Sequence, residues 1–292
     1  MPAVLTEHSY GKTRIRLTKV TRRADRHDIR ELTIEIQLEG DFAGSFTVGD
    51  NRLIIPTDTM KNVAYALAKE HPLESIESFG ITLADHFLTN HSHVERATVR
   101  LAEQPLERIR IEGIEHPHAF AGRSIEARTS TVRRSRSGVR VESGLDDLFL
   151  LKTTGSAFSG FLRDRFTTLQ DASDRIFATM LKADWFSTVA DSEAGVNFDW
   201  NAAHAQVRRA LVETFAGHQS LSVQQTLHAM GAAVLDACPQ IERITLAMPN
   251  KHRILADLKP FGLENANEVF VATDEPHGTI TGTLQRAKSP TP

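Results

Sequence analysis

The chain has 292 residues, 40% of them hydrophobic, and a formal net charge of −3 from 34 Lys and Arg against 37 Asp and Glu. That is apolar material for about two domains of ordinary size, and the only basic run, Arg133-Arg134-Ser135-Arg136, is too short for a nucleic-acid footprint. A single cysteine, Cys238, excludes an intrachain disulfide and a cysteine-rich zinc site, and no apolar run approaches the roughly 20 residues of a membrane span.

Ile15 to Val20 reads as a strand, and Leu32 to Leu38 as another, with Leu32, Ile34, Ile36 and Leu38 on one face and Thr33, Glu35 and Gln37 on the other. From Asp58 the period becomes helical through Met60, Val63, Ala64, Leu67 and Ala68, with Thr57 or Asp58 as the expected cap and Pro72 as the stop. Ser75 opens a second helix through Ile76, Phe79, Leu83 and Phe87, and strand patterns return at Val94 to Leu101 and in the region from Ala119 to Val132. After a polar turn at Arg133 to Ser137 the order recurs. Strands are expected at Val139 to Lys152 and Ile176 to Trp185, helices at Asp199 to Ala216 and Val223 to Ala237, and strands at Ile241 to Met248, Glu268 to Ala272 and Thr279 to Leu284.

The scheme is strand, strand, helix, helix, strand, strand, taken twice, although the halves share little residue-level identity. Consecutive strands and consecutive helices imply an α+β fold, with antiparallel sheets carrying paired helices on one face rather than βαβ winding. Sheets with bare edges also invite pairing with other copies, so an oligomer is expected.

The segment from Phe158 to Arg175 is the richest in chemistry, because it mixes aromatic rings and guanidinium groups with Ser, Gly and Thr in a loop-like setting. Such a mixture suits a flat anionic ring, which an aromatic face can stack and a guanidinium can grip at its edge. At the junction Ile54-Ile55-Pro56-Thr57-Asp58-Thr59, free N–H groups of a helix start can bind an anion or a small polar substrate, while Thr57 and Asp58 equally read as caps and Lys61 and Asn62 as solvent-facing. In Tyr10-Gly11-Lys12 the glycine permits a close backbone approach. Lys12 is either surface charge or, if burial lowers its pKa, a base.

Asn250 and His252, two apart in the loop after Pro249, can face one side of an extended backbone, although a plain loop explains them as well. Ser222 and Gln225 form a capping-box pattern, which leaves Gln224 either to read an amide edge or to lie on exposed helix surface. His86, His91 and His93, and the pair His116 and His118, lack a recognisable metal-ligand spacing. No GxxxxGKS/T or GxGxxG loop and no serine-hydrolase elbow is present.

Taken in order, Tyr10-Gly11-Lys12, Thr57-Asp58, the run from Gly160 to Leu169, Asp174-Arg175, Ser222-Val223-Gln224 and Pro249 to His252 resemble the urate oxidase (uricase) family, from about Tyr10 to Arg286. The resemblance implies two tandem T-fold (tunnelling-fold) domains, 8–137 and 138–286, and a homotetramer enclosing a tunnel with active sites at subunit interfaces. It also implies that Phe158 stacks on the purine, Arg175 grips its anionic edge, and Gln224 with the Val223 backbone pairs with the opposite edge. Lys12, Thr57 and His252 take the proton-transfer role. Thr57 and Asn250 hold dioxygen or water above the ring, and Thr57 and Asp58 come from a neighbouring subunit.

The implied reaction oxidises urate with O2 and water to 5-hydroxyisourate and hydrogen peroxide, with no metal or flavin. Further deprotonated urate is electron-rich enough to reduce O2 itself, so the protein has to supply a base and an enclosed pocket. Two departures stand out. The terminal Lys-Ser-Pro-Thr-Pro is neither a peroxisomal tripeptide nor a lipidation box and, with no signal-like N-terminus, suggests cytoplasm; and Ser159 stands where some relatives carry a larger aromatic. The alternatives are a non-enzymic purine-binding T-fold protein and a pterin or purine cyclohydrolase-like enzyme, the latter disfavoured where zinc is needed because Cys238 stands alone.

Overall fold

The computed structural model describes residues 3–122, 125–187, 198–273 and 275–287. Residues 123–124, inside the strand region expected from Ala119 to Val132, and the Lys288–Pro292 tail lie outside the described residues.

The strands are β1 (Tyr10–Arg22), β2 (His27–Gly40), β3 (Val94–Glu103), β4 (Leu106–Ile111), β5 (Ile114–Gly122), β6 (Ala127–Ser135), β7 (Gly138–Lys152), β8 (Phe177–Ser187), β9 (Ile241–Pro249), β10 (Arg253–Leu255), β11 (Phe270–Ala272) and β12 (Thr279–Gln285). The helices are α1 (Ala43–Val48), α2 (Thr57–Glu70), α3 (Ile76–Asn90), α4 (Trp200–Gly217) and α5 (Val223–Ala237). Two units divide the chain, the first made of Met1–Leu145 with Phe186–Ala202, the second of Asp146–Trp185 with Ala203–Pro292.

In the first unit the strand order is β1-β2-β3-β6, and each neighbouring pair is antiparallel. The alternation along β2 places Leu32, Ile34, Ile36 and Leu38 on the buried face, as the period of two requires. Opposite them α2 supplies Met60, Ala64, Leu67 and Ala68, and α3 supplies Phe79, Leu83 and Phe87. Each such aliphatic or aromatic side chain contributes on the order of 1.5–3 kcal/mol by leaving water. Helix α3 sits close to its sheet because it carries Gly80, where a Cβ would stand 2.7 Å from Val132 Cγ2.

The second unit repeats the arrangement. Its strands, β7 from Asp146 and β8 to Trp185 among them, run in the order β7-β8-β9-β12, with β9 and β12 antiparallel. Val207, Leu211 and Phe215 of α4 and Leu227, Met230 and Val234 of α5 are buried, and Gly231 of α5 faces Leu284 of β12 as Gly80 faces its own sheet. The last helix of each repeat starts from a serine cap: Ser75 Oγ accepts from Ser78 N at 3.0 Å and Ser222 Oγ from Gln225 N at 3.1 Å.

Both repeats insert strands beyond the expected scheme: the first adds the hairpin β4–β5, of which only the end of β5 falls in the region from Ala119 to Val132, and the second adds β10, which pairs with β11 inside the expected stretch Glu268 to Ala272. The turn expected over Arg133 to Ser137 is shorter, since β6 continues to Ser135. Among the described residues no helix is long and apolar enough to cross a membrane.

Candidate active site

The expected site residues fall into two groups, one in each unit. In the first unit, β1 runs beside β2 so tightly at Gly11 that a Cβ there would stand 1.8 Å from Ile36 O, which leaves glycine as the residue that fits. Directly after it the register slips between Lys12 and Ile15, and Arg14 takes a positive φ of 57°. A bulge of this kind re-aims the side chains beside it, and Lys12 stands at its start.

Tyr10, two residues earlier, fastens this strand to the approach to α2. Its hydroxyl accepts from Ile55 N at 2.8 Å and donates to Ile55 O at 3.2 Å, while its ring packs edge-on against Phe42. Burial pushes the Tyr10 phenol above its ordinary value, so it stays protonated and able to donate. One hydroxyl thus fixes the peptide two residues before Thr57.

Helix α2 begins without a side-chain cap. Pro56 holds the N-cap position and Thr57 is the first helical residue, so the capping role expected of Thr57 or Asp58 is not the one they have. Asp58 instead accepts from Lys61 Nζ at 2.5 Å and from Asn62 Nδ2 at 3.1 Å. Lys61 and Asn62 are therefore the side chains that hold Asp58 rather than idle surface. The Lys61 ammonium keeps the Asp58 carboxyl below the usual carboxylate range, and the nearby charge of Lys12 pulls in the same direction. Lys12 and the corner at Thr57 and Asp58 thus share one electrostatic neighbourhood.

In the second unit the chain leaves β7, and Ala157 N donates to Ser220 O at 2.7 Å while Ser220 N donates to Gly155 O at 3.0 Å. Phe158 and Ala172 then exchange backbone hydrogen bonds of 2.8 and 2.9 Å, closing an excursion over residues 159–171. Asp174 secures its approach, accepting from Thr154 Oγ1 at 2.7 Å and Ser156 N at 3.3 Å; these donors hold its carboxyl below the ordinary range. Arg175 follows, half-buried, its Cζ 5.2 Å from the centroid of the Phe158 ring. Its Nε is buried with no hydrogen-bond partner among the described residues, and burial pulls the guanidinium below its usual pKa without discharging it.

Strand β9 brings up the other wall. Asn250 pairs with Thr179 and donates its N–H to Gly278 O at 2.8 Å; Lys251 N donates to Ala178 O at 2.9 Å, and Thr273 N to His252 O at 3.1 Å. The result is a cleft of about 180 Å³ lined by Phe158, Leu169, Arg175, Ile176, Asn250 and His252 among others. The structure therefore joins Phe158, Arg175, Asn250 and His252, which lie 94 residues apart at the extremes. Val223 and Gln224 open α5 and do not line this cleft, but the pairing of Ser220 with the residues before Phe158 fixes the start of their helix relative to the ring. Gln225 completes its capping pattern on Leu221 N at 2.8 Å rather than on Ser222 N, and Gln224 is exposed.

The side chains of Lys12, Thr57, Gln224, Asn250 and His252 have no hydrogen bond or ion pair among the described residues. Polar groups held by ordered backbone yet left unengaged are available to a ligand. A ring, a charged fork, an amide and an imidazole around one cleft can stack, grip and exchange protons with a flat anion.

The comparisons with known proteins agree in one direction. The family model described as Uricase matches residues 8–133 and 141–281. A uricase of Arthrobacter globiformis is 42% identical over 98% of this chain and 91% of its own length, and one of Danio rerio is 40% identical over 95% and 93%. The chain belongs to the uricase family. The crystal structure of the Arthrobacter globiformis uricase superposes with a TM-score of 0.91 at 40% identity, covering 100% of this chain and 98% of that one. A uricase from Bacillus fastidious, at 23% identity and a TM-score of 0.83, shows the same fold. The α+β architecture with antiparallel sheets and two tandem uricase repeats is thus that of the family.

Two contacts, one in each group of expected site residues, escape the sequence reading. Phe161 stacks on Phe158 with centroids 5.0 Å apart and planes at 11°, filling the back of the ring where Ser159 offers no aromatic surface. The double contact of Tyr10 with Ile55 is the other; its only sequence trace is a tyrosine immediately before the glycine and lysine.

Proposed function

We propose that this uricase family member binds urate in the cleft between Phe158 and His252 and oxidises it there with a Lys12, Thr57 and His252 proton relay. The activity is that of a urate oxidase: urate, O2 and water become 5-hydroxyisourate and hydrogen peroxide, the purine giving up two electrons that reduce O2 to the peroxide level. The observation that carries the site assignment is the juxtaposition of the Phe158 face and the Arg175 guanidinium in a cleft that also holds Asn250 and His252.

In this reading the purine lies on Phe158, and Arg175 donates in a fork to adjacent oxygen and nitrogen acceptors at its anionic edge. The unpartnered Arg175 Nε supports that role, because a buried donor without an acceptor is costly unless a ligand satisfies it. Gln224 and the Val223 backbone pair with the opposite edge, and Asn250 with Thr57 holds dioxygen or water above the ring. Lys12 and His252 take up and return protons through the Thr57 hydroxyl, and Asp58 belongs to the same corner.

The arrangement requires assembly, and we propose a homotetramer enclosing a tunnel, in which Thr57 and Asp58 meet the purine from a neighbouring subunit. Its domains are 8–137 and 138–286. Two features support assembly. β1 ends the strand order of the first unit and β12 that of the second. Leu162, 94% exposed, and Phe166, 73% exposed, stand out of the excursion beside the cleft as apolar surface suited to a partner copy. We place the enzyme in the cytoplasm and assign it no cofactor.

Purified protein mixed with urate in air tests the reading. Loss of urate absorbance with one peroxide formed per urate consumed, unchanged by EDTA, is the expected result. Binding without peroxide would leave a purine-binding protein, and activity abolished by EDTA and restored by zinc would sink the cofactor-free mechanism.

A further inference from the structure

Arg163 lies in the middle of the 159–171 excursion, and the proposed reaction gives it no part. Its guanidinium nevertheless meets three groups at once. It sits over the Phe161 ring at 4.6 Å from the centroid, Nη1 donates to Leu169 O at 3.0 Å, and Nη2 lies 3.3 Å from Asp171 Oδ2. Each contact leads to the cleft. Phe161 backs Phe158, Leu169 lines the cleft wall, and Asp171 accepts from Gly160 N at 3.1 Å one residue before the Ala172 pair that closes the excursion.

An exposed ion pair by itself contributes little. Here the planar fork joins a stacked ring, a carbonyl and a carboxylate, a combination that an arginine can satisfy together and a lysine cannot. Arg165 gives the contrast. Its guanidinium covers Phe166, which is 73% exposed and lines no part of the cleft.

We infer that Arg163 is a positioning residue for substrate stacking: by holding Phe161 against Phe158 and Leu169 at the rim, it sets the plane on which the purine lies. The inference rests on the urate reading of the cleft. It predicts that Arg163→Ala raises KM for urate about tenfold, the size of effect expected from one lost ring-stacking contact, while kcat stays within about twofold. Phe161→Leu does the same, and the double variant adds little because both act through one ring. Arg163→Lys fails to restore KM, and Arg165→Ala leaves it at the wild-type value.

Xanthine, a flat purine without the 8-oxygen, supplies a readout besides turnover. Its dissociation constant, measured by calorimetry, should weaken by the same factor in Arg163→Ala while the melting temperature holds. Wild-type KM and xanthine affinity in Arg163→Ala would overturn the inference, as would an equal loss in Arg165→Ala. A wild-type protein that binds xanthine but forms no peroxide from urate would instead overturn the oxidase reading, leaving the positioning role to be decided by the xanthine constants.

Discussion

The two groups of site residues are built differently. Around Phe158 and Arg175 the ring and the guanidinium that would grip the ligand are packed in advance, Phe161 on the Phe158 ring and the Arg175 guanidinium over it, with Asp174 fixing the backbone on the approach. Around Lys12 and Thr57 the backbone is fixed, by the Tyr10 hydroxyl and the bulge, while the side chains proposed for the relay have no hydrogen bond among the described residues. The contrast follows from the tasks. A binding surface gains from pre-organised side chains, because order already present need not be established when the ligand arrives. A proton relay needs groups whose lone pairs and protons are not already committed, so its order has to come from the main chain.

The sharpest way to break the comparison is to remove a reactive group. Lys12→Met or Thr57→Ala should lower kcat by about 100-fold or more, the typical weight of a positioned proton-transfer group, while xanthine affinity changes little. Wild-type turnover in Lys12→Met would show that the relay is assigned to the wrong residues. Arg175→Ala should act in the opposite sense, weakening xanthine binding by about 30-fold or more through the loss of charge-assisted hydrogen bonds. If kcat fell while affinity held, Arg175 would belong with the chemistry rather than with the grip.

Positioning residues should give smaller effects. Tyr10→Phe leaves Ile55 N–H without its acceptor and is expected to cost about 1–3 kcal/mol of stability, readable by urea denaturation. A drop in kcat larger than any change in KM should accompany it, because the peptide it holds leads to Thr57. Asp174→Asn keeps one acceptor oxygen, for Ser156 N, and sets its amide N–H against Thr154 Oγ1, a hydroxyl that can turn to accept, so a rise in KM of about threefold or less is expected, the range of hydrogen bonds weakened but not lost.

Much of the fold is legible in the sequence alone. The period of two along Leu32 to Leu38 and the helical spacing from Met60 to Ala68 describe faces that are buried in the structure, because one-sided burial imposes a period. The hairpin β4–β5 leaves no such trace, since most of its residues are exposed and nothing selects one face. Thr57 illustrates a competing rule: Thr and Asp at a helix start suggest a cap, but Pro56 occupies that position and the carboxylate turns to Lys61 and Asn62 instead. In the site, residue type singles out the segment from Phe158 to Arg175, and the family resemblance is what points to Phe158 and Arg175 among its several rings and guanidinium groups. That Phe161 would stack on one and Arg163 reach Leu169 and Asp171 depends on the path of an irregular loop, for which sequence spacing supplies no period.

The excursion between Phe158 and Ala172 is sealed at its base by two backbone hydrogen bonds that require no particular side chains. Residues 159–171 therefore form a replaceable cassette. An engineer seeking acceptance of a bulkier or differently charged ring can vary its interior while the seal keeps both ends in register, and the lysine and threonine proposed for the proton relay sit in a separate unit of the chain, outside the region being edited.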